Sequence, residues 1–399
     1  MYNRINSMSL NENDTNEPKL IAKGTYGCIF RPGLSCNGMI NDKDSITKIQ
    51  YDDLTSQNEK NMGKKIINEL ADEYDKYFSP IIEDCPVKVE NLNEEMNKCE
   101  LIKTGVPKKI PLQMSKIKYV GESDLKIYYS ELNKTKNNYQ ILEKIIRGLR
   151  HNLIALKKLD ELDIVHLDIK ENNIICRDTG TPIIIDFGIS FEKASLNTES
   201  HEFQDQLITI FAEYVPFFYP WCDEIQLICY LIDKNLKVLT SRDSPMSVDV
   251  FLNLPVDKQT LQEFVDNYFD KEIFGSHSFV DDTKIEAYKK GFHEYINNLS
   301  GPNNVSNMTY KEFLSKIFVS DNLKSWDVYS LSICYLKLCQ EYFNDIESTY
   351  ITKLETCLTN IIYSIPSKRK EYIDELYEKF DEYFEEITDE EKQVLANIN

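Results

Sequence analysis

The chain has 399 residues, of which 42% are hydrophobic and 11% aromatic, enough to bury a sizeable core and to exclude a wholly disordered protein. Its formal net charge of −20 excludes a general nucleic-acid binder, whose surface would be basic. Such a charge keeps a protein soluble, and it also favours basic peptides as partners.

The first part of the chain predicts a polar tail followed by a mostly β domain. Residues 1–17 are rich in Asn, Ser and Glu without an apolar period, so we expect a mobile tail. Residues 18–121 should form the domain, with one long helix over about 56–77, where apolar residues follow helical spacing. The predicted strands lie within 20–50, at Leu101–Ile102 and within 110–120.

The second part, 122–399, predicts mainly helices. A long helix over Tyr139–Leu162 leads into two short apolar runs, 173–176 and 182–185, which flank an Asp-Thr-Gly turn and read as a β-hairpin. A loop without clear periodicity follows Ser190. A largely apolar segment follows at Ile225–Ile232. Further helical patterns are predicted at Leu261–Phe269, Ile285–Leu299, Tyr310–Phe318, Asp327–Leu338, Tyr350–Ile362 and Tyr372–Ile387.

Four polar side chains fall at the two ends of the predicted hairpin. Asp168, Lys170 and Asn173 precede its first strand, and Asp186 follows its second. Antiparallel pairing would bring all four to one edge. Two carboxylates, an amide and an ammonium suit a polyphosphate bridged by a cation, because Mg²⁺ takes oxygen ligands and keeps phosphate in its shell.

The order and spacing of these residues resemble the eukaryotic-type serine/threonine protein kinases. The chain reads His-Leu-Asp168-Ile-Lys170-Glu-Asn-Asn173, and Asp186-Phe-Gly188 begins 18 residues after Asp168. The resemblance implies an α+β, two-lobed fold with an N-lobe at 18–121, a mainly α C-lobe at 122–399, and ATP and Mg²⁺ as cofactors. Asp168 would accept the proton of the substrate hydroxyl or orient that hydroxyl, and Lys170 would neutralise charge on the transferring phosphoryl group, while Asn173 and Asp186 would hold Mg²⁺.

A glycine-containing loop and a strand-borne lysine complete the resemblance on the nucleotide side. Ala22, Gly24, Gly27 and Ile29 match the family's glycine loop, with Ala22 in place of its first glycine. Lys48 matches the lysine that reaches the phosphates.

Three pairings follow from the same resemblance. The helix partner of Lys48 would be Glu59, with Glu69 as the alternative. Asp327, in a segment similar to the start of the family's buried central helix, would accept backbone N–H groups from the loop around Asp168. Arg369, in a Pro-x-x-Arg segment, would pair with Glu224.

Several features depart from the family pattern. Leu167 replaces the arginine that would bind a phosphate on the 188–219 loop, so we expect activity without phosphorylation of that loop. Residues 225–323 look like a large insertion, and the composition is similar to that of the divergent kinases of large DNA viruses, which implies host cytoplasm or virion as the location.

The predicted function is transfer of the γ-phosphoryl group of ATP to Ser or Thr of a protein substrate, with basic residues near the acceptor. A pseudokinase scaffold and a kinase-fold phosphotransferase for small molecules or lipids are the alternatives. No nucleic-acid or membrane partner is expected, and the oligomeric state is not indicated. Ten cysteines without a regular spacing, and no predicted signal sequence, indicate reduced cytosolic thiols.

Overall fold

A computed structural model describes residues 2–4, 18–24, 27–34, 36, 41–87, 96–103, 111–237, 247–270, 273–301, 308–384, 387–389, 392–393 and 395. The chain divides into two compact units. Unit 1 comprises Met1–Tyr128 and Glu171–Ser190, and unit 2 comprises Tyr129–Lys170 and Phe191–Asn399. The described fold is of the α+β class, with antiparallel sheet in the N-terminal region and mostly helix in the C-terminal part.

The strands of the described residues are short. In chain order they are β1 Tyr2–Arg4, β2 Lys19–Gly24, β3 Gly27–Arg31, β4 Gly33–Leu34, β5 Asn41–Asp42, β6 Ser45–Tyr51, β7 Phe78–Ser79, β8 Ile81–Pro86, β9 Leu112–Lys118, β10 Ser123–Asp124, β11 Ile164–Val165, β12 Ile174–Cys176, β13 Pro182–Ile185 and β14 Phe191–Glu192.

The helices lie mainly in unit 2. They are α1 Leu54–Leu70, α2 Glu100–Lys103, α3 Leu125–Asn133, α4 Asn138–Glu161, α5 Phe203–Phe211, α6 Asp223–Lys237, α7 Val248–Asn253, α8 Lys258–Tyr268, α9 Asp282–Ser300, α10 Tyr310–Ile317, α11 Ser320–Phe343, α12 Thr349–Ile362 and α13 Pro366–Phe384. None of these described helices has both the length and the apolar character needed to span a bilayer.

The main sheet of unit 1 has six antiparallel strands in the order β1-β2-β3-β6-β9-β8. Its buried cluster includes Leu20, Phe30, Ile49 and Met114, which come from four neighbouring strands. The helix α1 begins with a capping box, in which Asp53 accepts from the Ser56 amide and the Ser56 hydroxyl oxygen accepts from the Asp53 amide. The sheet and the helix together position the lysine and glutamate discussed below.

The predicted hairpin is confirmed, and it belongs to unit 1. Strands β12 and β13 pair antiparallel, with Ile174 opposite Ile184. β13 also pairs in parallel with β7, and β12 pairs with β10. These backbone hydrogen bonds explain why Glu171–Ser190, predicted as part of the C-lobe, cluster with the N-terminal residues instead.

Unit 2 is built around α11, which is buried along nearly its whole length and packs against α4, α12 and α13. A helix that is covered on all sides has no single apolar stripe, so the sequence pattern predicts only Asp327–Leu338 of its length. The helix α4 matches its prediction closely. Its cap is Asn137, whose side chain accepts a hydrogen bond from the Gln140 amide.

Three local predictions are wrong. Leu101–Ile102 lie in the helix α2 instead of a strand. The segment after Ser190 contains β14 and α5, and α5 buries Phe203, Leu207 and Phe211 at helical spacing. Within the predicted mobile tail, Tyr2–Arg4 form β1, because the backbone of β2 offers pairing partners at the sheet edge. Residues 1 and 5–17 of that tail lie outside the described residues.

The prediction that all ten cysteines are reduced is also wrong. Cys28 is bonded to Cys99 and Cys36 to Cys85, with Cα–Cα distances of 6.0 and 5.7 Å. The partners are 71 and 49 residues apart in the sequence, so spacing alone could not reveal them. Only the fold of unit 1 brings β3 close to the residue that precedes α2. The other six cysteines have free thiols.

Candidate active site

Unit 1 places the predicted lysine and glutamate in direct contact. The Nζ atom of Lys48, on β6, donates to Glu59 Oε1 at 3.0 Å and to Oε2 at 2.8 Å, and it reaches Asp186 Oδ1 at 3.2 Å. Only 5% of the Lys48 side chain and 4% of the Glu59 side chain are exposed. The predicted pairing with Glu59 is therefore present, whereas Glu69 is an exposed residue near the end of α1.

The position of Glu59 follows from two neighbouring elements. It lies in the second turn of α1, and Gln50 on β6 donates from Nε2 to Glu59 Oε2 at 3.1 Å. Gln50 is two residues after Lys48, so both side chains point to the same face of the strand. Burial raises the pKa of Glu59, and the Lys48 ammonium opposes this shift. The charge of Glu59 thus depends on its contact with Lys48.

The segment after β13 is held by contacts within unit 1. Asp186 adopts a left-handed backbone conformation, with φ of 67°. Asn58, next to Glu59 on α1, donates from Nδ2 to the carbonyl oxygens of Gly188 and Ser190 at 3.1 and 2.6 Å. The buried ring of Phe187 packs edge-on against Phe78, with centroids 6.0 Å apart. Together these contacts fix the strained backbone that carries Asp186.

The metal assignment involves Asn173 and Asp186. Because Ile174 is opposite Ile184, Asn173 and Asp186 lie at the same end of the hairpin, as predicted. Asn173 is buried, and 21% of the Asp186 side chain is exposed. Among the described residues there is no cluster of three or more His, Cys, Asp or Glu that could hold a metal. An amide and one carboxylate fit Mg²⁺ that is bound together with phosphate, because Mg²⁺ commonly uses one or two carboxylates plus phosphate oxygens.

The glycine loop connects β2 and β3. Gly24 is paired with Gly27 and Ala22 with Ile29, while Thr25 and Tyr26 lie outside the described residues. A Cβ atom on Gly27 would lie 2.5 Å from the carbonyl oxygen of Ile49 on β6. The sheet itself therefore requires glycine at this position, apart from any contact with a ligand.

Unit 2 holds the two predicted catalytic residues, Asp168 and Lys170. Lys170 Nζ lies 2.7 Å from Asp168 Oδ1 and 2.6 Å from Oδ2, and about one sixth of each side chain is exposed, 17% and 14%. The Asp168 amide donates to Nδ1 of the buried His166 at 3.2 Å. The carboxylate and ammonium are thus adjacent and accessible, on a backbone that the preceding histidine helps to hold.

The predicted role of Asp327 is confirmed by its contacts. The amides of His166 and Leu167 donate to Asp327 Oδ2 and Oδ1 at 2.7 and 2.8 Å. Burial raises the pKa of Asp327, while His166 and the two backbone N–H groups lower it. Leu167 is itself buried and has φ of 66°, a conformation that leucine rarely adopts.

A buried ion pair joins α6 to α13. Arg369 Nη1 and Nη2 donate to Glu224 Oε1 and Oε2 at 2.8 and 2.9 Å, and both side chains are fully buried. Arg369 also donates to the Ser325 hydroxyl at 3.2 Å. The predicted pairing is therefore present in a bidentate form.

The sequence did not predict three residues that contact the site, Gln50, Asn58 and Trp221. Gln50 could have been found from the two-residue period of β6, and Asn58 from its place beside Glu59. Trp221, whose Nε1 donates to the Leu167 carbonyl at 2.9 Å, has no local sequence signal.

Comparison with known proteins adds no family assignment. No protein-family model matches the sequence, and a search of curated proteins finds no match. The functional argument therefore depends on the side-chain arrangements within each unit.

Proposed function

We propose that the chain is a two-lobed protein kinase that transfers the γ-phosphoryl group of ATP to Ser or Thr hydroxyls of a protein. Unit 1 would supply the residues that bind nucleotide and Mg²⁺, and unit 2 would supply the residues that act on the acceptor. The proposal is supported by the sequence signature and by the arrangement of side chains inside each unit.

The contact of Lys48 with both Glu59 and Asp186 carries the proposal. Three separate parts of unit 1 contribute these charges: β6, α1 and the segment after β13. Removing a lysine and a glutamate from water is costly, and a packed apolar cluster would often be as stable. Charged groups that are buried together and linked to a partly exposed carboxylate are typical of functional sites.

The residues suit phosphoryl transfer, a reaction in which the protein mainly positions and neutralises charge. When bound, Mg²⁺ would supply positive charge that offsets the charge of the phosphates. Asn173 and Asp186 would hold the ion, and Lys48, held by Glu59, would bind phosphate oxygens. Asp168 would orient the acceptor hydroxyl and take its proton, with Lys170 beside it to offset phosphoryl charge.

An acceptor screen with labelled ATP and Mg²⁺ tests the proposal. The acceptors are Ser/Thr peptides with basic flanks, the same peptides with acidic flanks, tyrosine peptides, lipids and small alcohols. We expect transfer to Ser/Thr peptides, with a preference for basic flanks because the chain carries a charge of −20. Transfer confined to lipids or small alcohols, or ATP binding without transfer, would contradict it.

Two lysine substitutions provide the matched control for this screen. Lys48→Met should lower kcat/KM for ATP by about a hundredfold, because it removes a charge aimed at the phosphates. Lys64→Met, on the exposed face of α1, should leave kcat/KM within about twofold, as is usual for surface substitutions. Equal effects of the two substitutions would argue against the assignment of Lys48.

A further inference from the structure

We infer that Trp221 is a positioning residue that holds the peptide group between Leu167 and Asp168. This contact would let the catalytic loop keep its shape without a phosphate on the 188–219 loop. This inference rests on the proposed kinase function. The catalytic loop means residues His166–Lys170, and the bracing segment means residues 215–222. All of these residues belong to unit 2.

The first observation is the hydrogen bond of Trp221. Its Nε1 donates to the Leu167 carbonyl at 2.9 Å, and the tryptophan is 8% exposed. On the other side of Leu167, the amide donates to Asp327. Both peptide groups that flank Leu167 are therefore fixed by side chains from elsewhere in unit 2.

This bracing matters because the Leu167 backbone is strained. Its φ of 66° lies in the left-handed region, where the Cβ atom of an L-residue crowds the backbone. A strained residue persists only when its surroundings hold it. The Asp327 carboxylate holds the peptide that precedes Leu167, whose rotation sets this φ, and Trp221 holds the next peptide, which carries the amide of Asp168.

The second observation is that the same segment contacts the far end of the catalytic loop. Lys170 Nζ lies 5.7 Å from the centroid of the Phe218 ring. The Phe218 ring packs edge-on against Trp221, with centroids 5.3 Å apart. Trp221 thus contacts Leu167, one residue before Asp168, and Phe218 contacts Lys170, two residues after it.

Three neutral hydrogen bonds, besides one from the Lys337 ammonium to the Tyr219 hydroxyl, help to hold the bracing segment in place. Ser330 on α11 donates to the Pro220 carbonyl at 2.5 Å, and Gln226 on α6 donates to the carbonyls of Val215 and Phe218 at 3.1 and 3.2 Å. None of these contacts requires a phosphorylated side chain. They provide a physical basis for activity with leucine at position 167.

The two tryptophans of the chain provide a matched test. Trp326 is fully buried, and its Nε1 has no hydrogen-bond partner among the described residues. Trp221→Phe and Trp326→Phe each delete an indole N–H and reduce ring size, but only the first breaks a bond to the catalytic loop. Both variants are measured after phosphatase treatment, beside wild type and Asp168→Ala, with thermal unfolding as a check on folding.

We expect Trp221→Phe to lower kcat by about fivefold to tenfold, the value of one hydrogen bond, while KM for ATP changes by less than about twofold. Trp326→Phe should keep kcat within about twofold of wild type, and phosphatase treatment should leave wild-type kcat unchanged. Equal kcat values for Trp221→Phe and Trp326→Phe, with Asp168→Ala inactive, would overturn the inference alone. Absence of Asp168-dependent transfer in wild type would overturn the proposed function and the inference with it.

A phenylalanine pair keeps the inference testable if Trp221→Phe does not fold. Phe218→Leu removes the ring that contacts Lys170 and Trp221. Phe217→Leu changes its neighbour, which is 63% exposed. We expect a fall in kcat of several-fold for Phe218→Leu, and less than about twofold for Phe217→Leu. The same kcat in both variants would count against the bracing role.

Discussion

Replacement of Asp223 by Asn should make the stability of the protein less dependent on pH. Asp223 begins α6 and is fully buried; the Tyr288 hydroxyl donates to Oδ2, and Oδ1 has no partner among the described residues. Burial and the charge of neighbouring Glu224 together raise the pKa of Asp223 to about 7, although Tyr288, Arg369 and Tyr268 lower it. This carboxyl is therefore more easily protonated in the folded protein than in the unfolded chain.

The direction of the effect follows from proton binding. The ordinary pKa of an aspartate is 3.8. Below about pH 4 the carboxyl of Asp223 is protonated in both states, so it contributes no pH dependence. Between about pH 4 and 7 only the folded state holds the proton, and the free energy of unfolding falls as pH rises, by at most about 1.4 kcal/mol per unit. Above about pH 7 the carboxyl is charged in both states, so its contribution to the free energy of unfolding no longer changes with pH. Between pH 5.5 and 8 the loss is about 2 kcal/mol.

Urea unfolding at pH 5.5 and pH 8 measures this effect. Wild type should lose about 2 kcal/mol more than Asp223→Asn over this interval, because asparagine does not titrate. The control is Asp249→Asn, which changes an exposed carboxyl on α7 and should follow the wild-type profile. Parallel profiles for wild type and Asp223→Asn would refute the reasoning.

Three further substitutions test other parts of the structure. Glu224→Gln leaves Arg369 buried without its counter-charge and should lower the free energy of unfolding by about 3 to 5 kcal/mol, measured by urea titration; a loss below about 1 kcal/mol would show that the pair is solvated. Gly27→Ala places a methyl group against the Ile49 carbonyl and should destabilise by about 1 to 3 kcal/mol. Gly291→Ala, in the interior of α9 where a Cβ meets nothing closer than 3.8 Å, should instead stabilise by up to about 1 kcal/mol, and a loss in thermal unfolding would contradict that.

The elements that the sequence predicted well are those with a local pattern. The helix α4 has one apolar face, and the hairpin of β12 and β13 has two short apolar runs around a turn. The extent of α11 was not predictable, because a helix covered on all sides lacks a stripe. The strand predicted at Leu101–Ile102 is wrong because two apolar residues carry too little periodicity to tell the helix α2 from a strand.

The candidate site shows the same division between local and long-range information. The residue types and spacing around Asp168 and Asp186 were sufficient to predict the hairpin end. The sequence favours Glu59 over Glu69, and the fold decides between them, since Glu59 lies on the face of α1 that meets Lys48. Trp221 contacts Leu167 across 54 positions of sequence, and it binds the backbone carbonyl of Leu167. Because any residue carries this carbonyl, no sequence pattern predicts the contact.

Phosphoryl transfer by Asp168→Ala tests the central claim most directly. With labelled ATP, Mg²⁺ and a Ser/Thr peptide, we expect kcat to fall by at least about a hundredfold relative to wild type, because the acceptor loses the group that takes its proton. The control is Asp178→Ala, which removes an exposed carboxylate in the hairpin turn and should leave kcat within about twofold. Undiminished transfer by Asp168→Ala would contradict the account.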